Sequence, residues 1–118
     1  MAAAGIKARD IVTGGVLAQL DAAATTEETL YTVPTGKEST GRLSVCNRSA
    51  SSATYRVRIK IAGAGDDNKQ WRYYDQSVNA NTTVDAMDGD VLGPGDVLKT
   101  YSSTTDMTFM WIGTERVR

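Results

Sequence analysis

The residues of this chain that could do chemistry are acids and cations, not imidazoles or thiol pairs. Histidine is absent from the 118 residues, and Cys46 is the single cysteine. No Ser–His–Asp or Cys–His nucleophile can be assembled from such a set. A zinc site built of cysteine and histidine within one chain is excluded too, as is an intrachain disulfide. Carboxylate chemistry remains. Asp66-Asp67-Asn68 follows Gly63-Ala64-Gly65, and Asp85, Asp88 and Asp90 gather around Gly89. Oxygen-rich loops can hold calcium. The first group does not follow the EF-hand spacing and the second alternates imperfectly, so both are expected to be ordinary acidic turns. A pair such as Asp66 and Asp88, brought together in a cleft, is the one route to acid–base catalysis. Neither has a partner base or nucleophile beside it in sequence. No catalytic residue, cofactor or metal is assigned, and the chain is not expected to be an enzyme.

The cations are more ordered. Arg56, Arg58 and Lys60 alternate with Tyr55, Val57, Ile59 and Ile61, and Arg72 can extend the same stripe. Such a stripe serves either as a charged contact surface for an acidic partner or as a solvated outer face that discourages edge pairing. It does not suggest nucleic acid. Thirteen basic residues against fourteen acidic ones leave a formal charge of -1, which supplies no long-range field for DNA or acidic membranes. The nearby aromatics are expected on the opposite face, so they would not form a stacking platform. Gly63-Ala64-Gly65 is not a phosphate loop, because no helix follows it. Trp71, Tyr73, Phe109 and Trp111 are expected in the core, with Cys46 a buried structural thiol.

These side chains need strands to position them. The two-residue period over Tyr55–Ile61 predicts a strand with one apolar and one cationic face. Leu43 and Val45 continue the alternation in 41–47, and Trp71 and Tyr73 flank Arg72 until Tyr74 breaks it. Val97 and Tyr101 share a face with Lys99 between them. Met107, Phe109 and Trp111 share another, while Met110 and Ile112 make the same strand apolar on its second side, as for a central or covered strand. Val16–Asp21 is expected to be an edge strand. Turn signals fall at Pro34-Thr35-Gly36, 47–52, 63–68, Asn79-Ala80-Asn81, Asp88-Gly89-Asp90, Gly93-Pro94-Gly95 and 102–106,. This spacing predicts an all-β chain, an antiparallel β-sandwich or jelly-roll-like fold of seven to eight strands, over residues 16–118. Residues 1–15 are expected to be an extended N-terminal arm. Its apolar residues Ile6, Ile11 and Val12 are, with Arg56, Arg58, Lys60 and Arg72, the candidate partner contacts. The start of the chain lacks the apolar block of a signal peptide, and no run approaches the ~18 residues of a membrane helix.

Four segments resemble small phage virion structural proteins. Leu30-Tyr31-Thr32-Val33-Pro34-Thr35-Gly36-Lys37 is similar to their LYTVPAGK segment, and Val45-Cys46-Asn47-Arg48 to their VCNR strand end. Leu92–Leu98 resembles their L-x-x-G-D-x-L turn and strand, and 101–115 their C-terminal hairpin. The resemblance implies a β-sandwich virion component. It would be a capsid decoration (cement) protein, or a neck, tail or baseplate accessory protein, with a receptor- or carbohydrate-binding tail module as a further alternative. It also implies assembly in the host cytoplasm, major capsid protein or other virion subunits as partners, and a homo-oligomer in the particle. No direct nucleic-acid or membrane contact and no catalytic residue come with it.

Overall fold

The computed structural model describes residues 12–118. Its strands are β1 (Val12–Asp21), β2 (Glu27–Thr32), β3 (Lys37–Asn47), β4 (Ala53–Lys60), β5 (Trp71–Val78), β6 (Thr82–Leu92), β7 (Val97–Ser102) and β8 (Met107–Val117). Short 3₁₀ turns at Ile61–Gly63 and Asn68–Gln70 join β4 to β5. The first sheet has the order β1-β8-β3-β6 and the second β2-β7-β4-β5. Each pairing is antiparallel: β1 with β8, β2 with β7, β3 with β6 and β4 with β5, stitched by β3–β8 and β4–β7. The chain is therefore one long two-stranded ribbon rolled up on itself. That is an eight-stranded jelly roll, which protects all but four strand edges by folding the ribbon into two facing sheets.

Two-residue alternation puts the core where the sheets face each other. Leu43, Val45, Met107, Phe109 and Trp111 come inward from the first sheet, and Val57 and Leu98 from the second, all fully buried. Each such side chain stabilises the fold by about 1.5–3 kcal/mol. Tyr55 stacks edge-on to Phe109, and Tyr31 lies over Trp111 with ring centres 6.2 Å apart. The indole Nε1 of Trp111 donates to Ser39 Oγ at 2.9 Å, and Ser39 Oγ donates to Thr114 O at 2.9 Å. A buried indole N–H is thus satisfied inside the sandwich. β8 lies between β1 and β3, and its second face, with half-buried Met110 and Ile112, is the outer face of the first sheet.

Where the strands of the first sheet pack backbone to backbone, glycine is required. Gly113 of β8 and Gly41 of β3 stand opposite each other; Gly15 of β1 is next in line but has open space where a Cβ would be. A Cβ on Gly113 would lie 2.1 Å from Thr40 O and 2.5 Å from Gly41 Cα.

Several expectations are corrected. Residues 12–15 belong to β1, not to an arm that ends at Gly15, because they pair in register with Arg116, Glu115, Thr114 and Gly113 of β8. Ile6 and Ile11 lie outside the described residues. Asp88-Gly89-Asp90 is not a turn but part of β6, where Gly89 is one extra residue against β3 with φ at 77°. A glycine-centred bulge bends a strand without ending it. Val97 and Tyr101 do share a face of β7 with Lys99, and it is the outward one, while Leu98, Thr100 and Ser102 carry the core face. Cys46 is half-buried, between Thr83 and Thr108 on the outer side of the first sheet.

Candidate interaction surface

The cationic residues of β4 do lie on one face, the outer face of the second sheet. Their surroundings differ from the sequence expectation. β5 carries two extra residues against β4, since Tyr55, Val57 and Arg58 pair with Gln76, Tyr73 and Trp71. Asp75, in the first irregularity, has φ at 52°. These bulges turn Tyr73 toward the core and both Trp71 and Tyr74 outward, next to the arginines. Arg56 sits 4.1 Å over the Tyr74 ring and 4.5 Å over that of Tyr101, and Arg58 lies 4.0 Å over Trp71. Trp71 meets Tyr74 edge-on at 5.2 Å. The aromatics and cations interleave on one surface after all, and Trp71 is not a core residue.

The charges of this surface are spent on one another. Arg56 Nε donates to Asp75 Oδ1 at 2.6 Å. Arg58 Nε lies 2.9 Å from Glu27 Oε2, an ion pair that lacks hydrogen-bond geometry, and Arg58 also approaches Asp66 at 3.3 Å. Lys60 Nζ is 2.9 Å from the same Asp66 oxygen. The hydrogen bond and charge of Lys60, reinforced by Arg58, hold the Asp66 carboxyl below its ordinary range. Arg72 reaches Asp90 of β6 at 3.2 Å and so ties the edge of one sheet to the edge of the other. Arg58 is only 8% exposed; it is a buried, stacked and paired arginine instead of a solvated one. The stripe therefore presents a nearly neutral aromatic and ion-paired surface, with Tyr74 more than half exposed.

Of the acidic groups, Asp67, Asp85 and Asp90 are likewise engaged, whereas Asp88 on β6 has no ion pair among the described residues. Asp67 caps the 3₁₀ turn at Asn68–Gln70: its Oδ1 accepts from Lys69 N at 3.0 Å, and Gln70 Oε1 accepts from Asp67 N at 3.1 Å. Asp85 faces Arg42 at 3.6 Å. Among the described residues, no three Asp, Glu or Cys side chains cluster in a way that could hold a metal ion. A shallow, mainly apolar hollow of about 400 Å³ lies beside this loop, lined by Ile59, Ile61, Ala64, Lys69 and Gln70. No helix among the described residues is long and apolar enough to cross a membrane.

The outer face of the first sheet is different. Val16 lies directly beside Ile112, and Val12 and Val16 are 53% and 52% exposed. Val12 is thus the one candidate arm contact that the structure places, and it opens an apolar edge. The chain is similar to a pentameric capsid protein isolated from metagenomic phage sequences, at 19% identity and a TM-score of 0.32, over 98% of this chain and 76% of that one. No protein-family model and no curated protein sequence matches it.

Sequence reasoning missed the residue that does most to hold the loops at one end. The turn signal at 47–52 begins with Asn47, yet this residue ends β3 fully buried. Its Nδ2 donates to Ser51 O at 2.9 Å, Val78 O at 3.1 Å and Asn79 O at 3.2 Å. Its Oδ1 accepts from Ser49 N at 3.0 Å and Ser49 Oγ at 2.8 Å. Next to it, Arg48 pairs with Asp21 at 2.5 Å. At the opposite end Asp96 plays a comparable part, accepting from Gly93 N at 2.8 Å and Ala62 N at 2.9 Å. The residues that carried the resemblance are those that close the ends of the sandwich.

Proposed function

We propose that this chain is a structural protein of a phage virion, and specifically a capsid decoration protein that stabilises the particle through subunit contacts. The observation that carries this reading is where the chemically active side chains go. Asp66, Asp67, Asp75, Asp85, Asp90 and Asp96 are engaged by cations or loop amides of the same chain, and what the jelly roll offers outward is two sheet faces and their edges. Such a body suits contact, not turnover, and the four virion-protein motifs fall on the segments that build it. Fold by itself does not decide function, so the motif resemblance and the surface supply the argument together. Many identical weak contacts on a lattice add up to firm attachment.

Imaging of intact particles tests this directly. Density for the jelly roll on the capsid lattice, and particles that lose their contents at lower temperature when the chain is omitted, are the expected results. Density at the neck or tail would move the protein to an accessory role; absence from the particle would end the virion reading. One observation favours a second reading. Tyr74 stands exposed beside Trp71, Arg56 and Asp75, an arrangement on which a sugar ring could stack. A glycan-array signal abolished by Tyr74→Ala would support a receptor-binding tail module instead.

A further inference from the structure

Among the described residues four strands end the two sheets, and three of them are guarded. β2 is six residues long and opens with Glu27 and Glu28. β5 carries Arg72 and Asp75 and two extra residues against β4. β6 carries Asp85, Asp88 and Asp90 and two extra residues against β3. Charges, bulges and shortness are the devices that keep natural sheet edges from pairing with other chains. β1 largely lacks them. Its nine residues before Asp21 include no charge and no proline, and its register against β8 shifts only at Leu17, with Gly15 taking φ at 124°. The stretch Val12–Val16, in unbroken register with β8, is exposed throughout.

We propose that this edge is a self-association surface, on which β1 pairs antiparallel with β1 of a second copy about a two-fold axis at Gly14. The occupant follows from the same comparison. A strand that adds to β1 must have a free edge of its own. Laying β2, β5 or β6 of another copy there would set carboxylates and guanidinium groups beside an uncharged strand and interrupt the ladder at their bulges. β1 against β1 does neither. With the axis at Gly14, Val12 of each copy stands opposite Val16 of the other on the outer face, so the two half-exposed valines cover each other,. Gly14 meets Gly14 at the centre, where side chains would otherwise crowd the axis. The interface is isologous, and it joins two β1-β8-β3-β6 sheets into one of eight strands. The short paired stretch makes it weak and concentration-dependent in solution. The pairing does not rest on the virion reading: a chain that dimerises this way need not be found in particles, and the reverse also holds.

Sedimentation equilibrium of the full chain over a concentration series is the test, with Val16→Lys, the double variant Val12→Glu/Val16→Lys, and Val91→Lys as comparisons. The wild-type chain is expected to dimerise. Val16→Lys sets a lysine against a valine twice per dimer and should weaken association about tenfold. The double variant sets the introduced carboxylate of each copy opposite the introduced ammonium group of the other, and should recover association at low ionic strength. Val91, 61% exposed on β6, lies off this edge, so Val91→Lys should leave association unchanged. Unchanged thermal melting of Val16→Lys shows that the fold is intact, as expected for a half-exposed side chain. A chain that stays monomeric at its solubility limit overturns the proposal. So does a dimer indifferent to Val16→Lys, one that Val91→Lys weakens as much, or a double variant no better than Val16→Lys.

Discussion

Replacing Asn47 offers the sharpest test of how the sandwich is closed. Its side chain is fully buried and makes five hydrogen bonds, to Ser49, Ser51, Val78 and Asn79. These reach across the loops that leave β3 and β5, so one amide pins two crossings between the sheets. Asn47→Ala removes all five. The carbonyls of Ser51 and Asn79 belong to exposed residues and can turn to water. The carbonyl of Val78 belongs to a residue only 1% exposed, and stranding it costs about 1–3 kcal/mol. Adding about 1 kcal/mol for the bonds to Ser49 gives a total near 3 kcal/mol. For a chain of this length that lowers Tm by roughly 10 °C. Asn47→Asp separates this account from simple loss of packing. Aspartate has the same shape, but it would turn a carboxylate toward three carbonyl oxygens with no proton to share. It should therefore destabilise more than alanine at neutral pH, and part of the loss should be regained as the solution is acidified. Urea unfolding followed by tryptophan fluorescence measures both variants. A change under about 0.5 kcal/mol for Asn47→Ala, or an aspartate variant as stable as alanine, would refute the reasoning.

Other perturbations have equally definite outcomes. Gly113→Ala forces a methyl into the Thr40 carbonyl and should cost about 3 kcal/mol or more in urea unfolding, whereas Gly65→Ala, with open space around it, should change little. Burial first, then the hydrogen bond to Glu115, pushes the Tyr31 hydroxyl well above the ordinary phenol range, and burial also raises Tyr55. Both folded-state values exceed the unfolded one, so their contribution is complete below about pH 10 and is lost as pH rises above it; Tyr31→Phe should flatten the alkaline limb of a stability–pH profile. Asp66 has the opposite sign. Its folded value is depressed, so its contribution is present above about pH 4 and fades as the solution is acidified further, a fade that Asp66→Asn should remove. Arg58→Ala leaves Glu27 without its closest cation and should cost about 2 kcal/mol after allowance for partial exposure, while the paired change Arg58→Met with Glu27→Met should come close to neutral. A double-mutant cycle in urea reads that coupling.

Much of the architecture was legible because it is local. Tyr55, Val57 and Ile59 alternate with Arg56, Arg58 and Lys60, and a two-residue period has no good helical solution. Met107, Phe109 and Trp111 on one side of a strand, with Met110 and Ile112 on the other, pointed to a central strand, and β8 is one. The lack of histidine ruled out whole classes of site before any coordinate was known. Tertiary structure decided the rest. Alternation separates the two faces of a strand but does not say which one turns inward; on β7 it was the structure that put Leu98, Thr100 and Ser102 in the core. Extra residues in β5 and β6 shift the phase within a strand, so Trp71 left the core to lie on Arg58, and Gly89 proved a bulge and not a turn. The pairing of β1 with β8 joins the first and last of the described strands, and the partners of Asn47 come from two separate loops. Periodicity is written residue by residue, whereas sheet membership, register and burial are settled only when distant strands compete for the same edge.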